Sequence, residues 1–79
     1  MRFTVKLPRV AETVDEVVVL EWKVGLGESL GVGQILMTVE TDKAIVEVPA
    51  PVGGFVAELL VQVGEEISTG HAIIVVEGD

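Results

Sequence analysis

The 79-residue sequence predicts an all-β fold, a sandwich or flattened barrel of short strands. Three observations lead there. Apolar residues recur at period two, as at Phe3, Val5 and Leu7. Glycine and proline punctuate the chain between such runs, at Pro8, Gly25, Gly27, Gly31, Gly33, Gly64 and Gly70, and in "PAPVGG" at 49–54. No 12-residue segment keeps a 3.6-residue period without a glycine or a β-branched run.

Taken in order, "RFTVKL" (2–7) alternates and reads as the first strand. "VVVLEW" (17–22) is a more continuous apolar run. "ILMTVE" (35–40) and "AIVEV" (44–48) flank a short polar break, and "FVAELLVQV" (55–63) and "AIIVVE" (72–77) complete the set. Valine dominates the apolar residues, and β-branched side chains suit a pleated, half-buried surface.

The chain repeats itself at an offset of 37. "VGLGESLGVGQILMTVE" from Val24 lies on "VQVGEEISTGHAIIVVE" from Val61, matching Gly27 to Gly64, Gly33 to Gly70, Leu36 to Ile73 and Glu40 to Glu77. Two copies are too few for a solenoid. They predict two similar halves of about four short strands each, related by a pseudo-two-fold and burying one shared core. Moved forward by the same offset, Lys43 falls one place past the last residue; moved back, it falls on Lys6. The symmetry should therefore exchange "TDKA" with the region of the two termini and place Lys43 at the opposite end of the domain.

A chain of this length forms one domain, 1–79. It is too small for a deep cleft between subdomains. The net charge of −8 argues against nucleic acid and against anionic membranes, and favours partners with basic patches. No apolar run approaches a membrane span, and the N-terminus lacks the apolar stretch of a signal peptide. With no cysteine there is no disulfide framework and no thiolate metal site, which fits a reducing compartment.

Lys6, Lys23 and Lys43 are the three lysines. Lys43 falls between two strands joined by about three residues, so a hairpin is the economical reading, with the lysine pointing off its tip into water. Asp42 suits such a turn because its carboxylate can accept from nearby backbone N–H groups.

The segment "VETDKAIVEVPAPVGG" resembles the lipoyl-attachment segment of lipoyl domains, found in the acyltransferase components of 2-oxo acid dehydrogenase complexes. "KLPRVAETVDEVVVLEWKVGLGESLGVGQIL" is similar to the N-terminal half of that family, so the resemblance covers nearly the whole chain. It implies a flattened barrel of two four-stranded antiparallel sheets with quasi-two-fold symmetry. It implies lipoate in amide linkage to Lys43, with Glu40, Thr41, Asp42 and Ala44 read by partners. Those partners would be a lipoate-attaching enzyme, a thiamine-dependent 2-oxo acid dehydrogenase, an acyltransferase core and dihydrolipoamide dehydrogenase. The domain alone would be monomeric and non-catalytic, in a bacterial cytoplasm or a mitochondrial matrix. Two departures lie in or just after the loop at 9–16, where many members have glycine in place of Ala11 and Val17. In the family that loop lies near the lysine turn.

Other readings weigh less. A biotin carrier shares the fold but usually has methionine on both sides of its lysine, where this chain has Asp42 and Ala44. Unmodified modules of this type, as in efflux-pump adaptors, are usually split by a long insertion and lack the lysine. The glycine-cleavage carrier is longer and decorated with helices. His71 with Ser29 or Ser68 matches no nucleophile elbow. The carboxylates Glu12, Asp15, Glu16, Glu65 and Glu66 read as solvated surface, and Trp22 as core or partial core. Pyruvate, branched-chain 2-oxo acids and 2-oxoglutarate all remain open as the acyl source; "DKAIVEVPAP" looks slightly more like the first two types.

Overall fold

A computed structural model describes residues 1–10 and 15–78. Eight strands follow one another: β1 (Arg2–Lys6), β2 (Glu16–Trp22), β3 (Ser29–Leu30), β4 (Ile35–Glu40), β5 (Ile45–Pro49), β6 (Gly54–Leu59), β7 (Glu66–Ser68) and β8 (Ala72–Glu77). They form two antiparallel four-stranded sheets, ordered β1-β8-β6-β3 and β5-β4-β2-β7. The predicted all-β sandwich with two similar halves is what forms.

Alternation places the core. In β4, Leu36, Met37 and Val39 are fully buried while Glu40 is exposed. Val17 and Val19 of β2, Val48 of β5, Val56 of β6, Ile67 of β7 and Ile73, Ile74 and Val76 of β8 close the same cluster from both sheets. Each such aliphatic side chain contributes about 1.5–3 kcal/mol relative to exposure. No polar or charged side chain is buried among the described residues.

The sequence repeat is a structural repeat. The N–H of Gly27 donates to Val56 O at 2.8 Å, and that of Gly64 donates to Val19 O at 2.7 Å. Each residue in one bond is 37 positions from its counterpart in the other. Gly27 (φ 82°) and Gly64 (φ 92°) share the left-handed conformation that their turns require. The bulges between Val19 and Glu21 and between Val56 and Glu58 also correspond.

Three details depart from expectation. The strands β3 and β7 are two and three residues long, too short to show a period of two. The strand expected over 55–63 stops at Leu59; the chain then turns, with Glu65 N–H donating to Gln62 O at 3.0 Å. Val61 stays buried, and its carbonyl accepts from Trp22 Nε1 at 2.9 Å, which makes Trp22 partial core as expected. Finally, the offset of 37 does not carry Lys43 onto Lys6. Glu40 pairs with Ile45 while its counterpart Glu77 pairs with Arg2, so β5 and β1 are related by 43 positions. Lys6 corresponds to Pro49, because an edge strand is placed by the neighbour it pairs with.

The exchange of the turn with the termini nonetheless holds. Thr41 N–H donates to Ala44 O at 2.8 Å, and at the corresponding place Gly78 N–H donates to Met1 O at 2.7 Å. Gly78, which Met1 pairs with, borders Gly54 at the start of β6, whereas Glu40, which Ile45 pairs with, borders Val18 near the start of β2. The free ends of β6 and β2 lie apart, since Trp22 at the end of β2 reaches Val61 just beyond the end of β6. The pairings therefore set the termini and the Lys43 turn at opposite ends of a body 37 × 20 × 17 Å in extent.

Candidate functional site

Lys43 occupies a two-residue loop. β4 ends at Glu40, β5 begins at Ile45, and Thr41 and Ala44 face each other across the hairpin, leaving Asp42 and Lys43 at the tip. Two-residue hairpin loops favour turns with positive φ at one or both tip residues. Neither residue here has positive φ. The turn is instead organised by the Thr41 side chain. Its hydroxyl oxygen accepts from Lys43 N–H at 3.2 Å and from Ala44 N–H at 3.0 Å, and the hydroxyl donates to Ala44 O at 3.1 Å. The Asp42 carboxylate makes no hydrogen bond to a described residue, so the capping expected of Asp42 falls to Thr41.

The consequence is a fixed base under a free side chain. Lys43, Asp42 and Ala44 are exposed, and Lys43 forms no ion pair with a described residue. The other lysines differ. Lys6 lies within β1, and Lys23 Nζ sits 2.6 Å from Glu21 Oε1. That contact, with Glu47 adding, raises the Lys23 pKa against a small opposing effect of burial.

The expected recognition residues gather here. Glu40 stands opposite Ile45 on one side and Val18 on the other. The start of β2 brings up Glu16, whose pKa is raised by its hydrogen bond to Glu66, by repulsion from that carboxylate, by slight burial and by Asp15. The end of the 9–16 loop is thus near the turn: Asp15 O accepts from Thr69 N–H at 2.9 Å, and Asp15 Oδ1 lies 3.4 Å from Arg9 Nη1. Ala11 and Glu12 fall outside the described residues. Val17, the other departure, is buried in the core.

The remaining candidates do not assemble. His71 is exposed, and its N–H closes a turn onto Ser68 O at 3.0 Å, as Gln34 N–H does onto Gly31 O at 3.1 Å. Ser29 lies on the edge strand β3, two strands away from β8, the strand that His71 precedes. No group of three metal-ligating side chains occurs among the described residues. An apolar groove of about 290 Å³ runs between Val5, Lys6, Pro8, Pro49, Ala50 and Pro51, where the ends of β1 and β5 meet; no carboxylate lines it.

Comparison with known proteins bears on the family and the fold. A family model described as "Biotin-requiring enzyme" matches residues 3–76. The acetyltransferase component of the pyruvate dehydrogenase complex of Haemophilus influenzae is 49% identical over 63 residues, covering 80% of this chain and 11% of that protein. The lipoamide acyltransferase component of the branched-chain α-keto acid dehydrogenase complex of Pseudomonas aeruginosa is 40% identical over 73 residues, covering 92% and 17%. The chain thus spans less than a fifth of either relative. Among solved structures, the lipoyl domain of the 2-oxoglutarate dehydrogenase complex of Azotobacter vinelandii superposes with a TM-score of 0.72 at 27% identity, covering 96% of this chain and 98% of that one.

Proposed function

The chain belongs to the biotin/lipoyl-attachment family, and on that premise we propose that it is a lipoyl carrier domain modified at Lys43. One observation carries the reading. Lys43 alone of the three lysines stands at a hairpin tip, with its backbone held by Thr41 and its side chain free.

The chemistry follows from that position. The Lys43 amine attacks an activated lipoyl carboxyl; the amide bond forms, the activating group departs with its electron pair, and the amine releases a proton to solvent. Amide formation removes the lysine charge and lengthens the arm. Bound lipoate would supply the dithiolane that accepts an acyl group and two electrons. The protein's share is position: a rigid turn holds the arm's base, and tethering replaces diffusion with a local concentration on the order of mM. Such a carrier needs no cleft and performs no catalysis itself.

Lipoate is favoured over biotin by Asp42 and Ala44 beside the lysine, and by relatives whose names are those of lipoamide and dihydrolipoyllysine acyltransferases. Its partners would then be a lipoate-attaching enzyme, a thiamine-dependent 2-oxo acid dehydrogenase, an acyltransferase core and dihydrolipoamide dehydrogenase. Glu40 and Asp42 would be read by basic partner surfaces.

The test is intact mass after incubation with lipoate, ATP and a lipoate ligase, beside Lys43→Arg and a parallel biotin-ligase reaction. One lipoyl addition that Lys43→Arg abolishes is expected. Biotin addition would reassign the cofactor, and modification by neither enzyme would overturn the carrier reading.

A further inference from the structure

The apolar groove between the ends of β1 and β5 lies on the pseudo-two-fold, and the two halves do not fill it equally. Leu7 N–H donates to His71 O, and Leu7 O accepts from Gly70 N–H. Ala50 N–H donates to Gln34 O, and Ala50 O accepts from Gly33 N–H. His71 and Gly70 are the counterparts of Gln34 and Gly33 under the repeat, so Ala50 stands in the place of Leu7. Both are buried. Leu7 fills its place with a branched side chain. Ala50 has only a methyl group, and the groove of about 290 Å³ opens beside it.

The walls are apolar on both sides. Pro8, Pro49 and Pro51 line the groove with Val5 and Lys6. Proline has no backbone N–H, so these walls offer ring carbons in place of donors. The chain carries 13 acidic residues, and none lines the groove. Its volume stands at the small end of ligand pockets, roughly 300–1,000 Å³. The site therefore suits a slender, uncharged, apolar group.

We propose that this groove seats the sulfur end of the domain's own lipoyl arm in its reduced, dithiol form. The proposal rests on the carrier reading above. Reach selects this occupant and this form. From Lys43 to Pro49 the chain covers at most about 20 Å at ~3.3 Å per residue, and the turn shortens that distance. Pro8 leads through Arg9 toward Asp15, near the turn, with Arg9 Nη1 3.4 Å from Asp15 Oδ1. With lipoate in amide linkage, about eleven bonds separate the Lys43 Cα from the dithiolane ring, an extended length of ~14 Å. Reduction opens the ring and adds about three bonds, which carries the terminal sulfur to ~17 Å. The closed ring stops short of the groove; the opened arm reaches its rim at Pro8 and Pro49. Chemistry agrees with reach. Amide formation removes the lysine charge, and a neutral thiol behaves as a small apolar group. Tethering supplies a local concentration on the order of mM, so an affinity of the same order seats the arm about half of the time and still releases it to partners.

The test uses the lipoylated domain, oxidised or reduced with a water-soluble phosphine. Reduction should move the backbone amide resonances of Val5, Lys6 and Ala50, the groove residues that carry an N–H. Lys43→Arg, which takes no arm, should show no such change with the same reductant. Ala50→Leu places in the groove the residue that the other half holds at the same backbone position, so it is expected to fold. In it the groove resonances should no longer respond to reduction. Alkylation of its reduced arm by iodoacetamide, followed by intact mass, should run about twofold faster than in wild type, the gain from freeing an arm seated half of the time. Resonance changes confined to residues 41–45 in the reduced wild-type domain would overturn the proposal, whether or not Ala50→Leu folds. Equal alkylation rates in wild type and a folded Ala50→Leu would also overturn it. Failure of the wild-type domain to be lipoylated would strike the carrier reading itself, and is thereby distinguishable.

Discussion

The Thr41 hydroxyl takes the Ala44 N–H at 3.0 Å, the bond that the Thr41 carbonyl would accept in a regular two-residue hairpin. The same oxygen also takes the Lys43 N–H, at 3.2 Å. A side chain thereby lets the loop close without positive φ at Asp42 or Lys43. Thr41→Val, nearly equal in shape, leaves two N–H groups to water. It should lower attachment at Lys43 severalfold and destabilise the domain by about 0.5–1.5 kcal/mol, while Thr41→Ser restores both. Ligase kinetics with denaturant unfolding of the three proteins measures this. Equal rates for Val and wild type would show the hydroxyl to be dispensable.

Gly54 sits at the crossing of β6 and the C-terminal end of β8. Its φ is 146°, and a Cβ there would lie 2.2 Å from Glu77 O, a backbone atom that cannot swing aside. Gly54→Ala is expected to cost on the order of 1–3 kcal/mol. The site lies at the end away from Lys43, so lipoate attachment to the folded fraction should be unchanged. A thermal melt and a ligase assay on the same sample check both halves of the statement.

Leu36 and Ile73 are counterparts under the repeat, and each is fully buried. The shared core predicts that Leu36→Ala and Ile73→Ala destabilise to a similar degree, about 2–5 kcal/mol each. Small domains rarely hold more than about 5 kcal/mol in total, so a loss at the upper end of that range leaves either variant largely unfolded. Urea titration of both decides it; one tolerated and one lethal change would mean the halves do not share the core equally.

Glu16 has a raised pKa because Glu66 shares a hydrogen bond with it and repels its charge. The folded chain thus holds this proton more tightly than the unfolded chain does. The contribution is fully present below the ordinary glutamate range and is lost as pH rises through the raised value. At neutral pH the two carboxylates repel, so Glu16→Gln should raise the unfolding temperature there. In acid that gain should vanish. Melting curves of both proteins across pH 3 to 8 (roughly the range over which carboxylates and their shifted forms titrate) would expose a gain of the wrong sign.

Much of the molecule was legible in the amino-acid sequence. Period-two runs marked six strands, and the offset of 37 marked two equivalent halves, because both signals are carried by residue type along the chain. The isolated position of Lys43 between two such runs placed it at a hairpin tip for the same reason. Tertiary structure alone decided the rest. Strands β3 and β7 are too short for periodicity and exist only because β6 and β2 offer them partners. The work of capping the turn passed from Asp42 to Thr41 because it depends on backbone angles that residue preference does not set. That Glu77 meets Arg2 while Glu40 faces Ile45 is a matter of register between strands, and register is fixed by which side chains reach the common core.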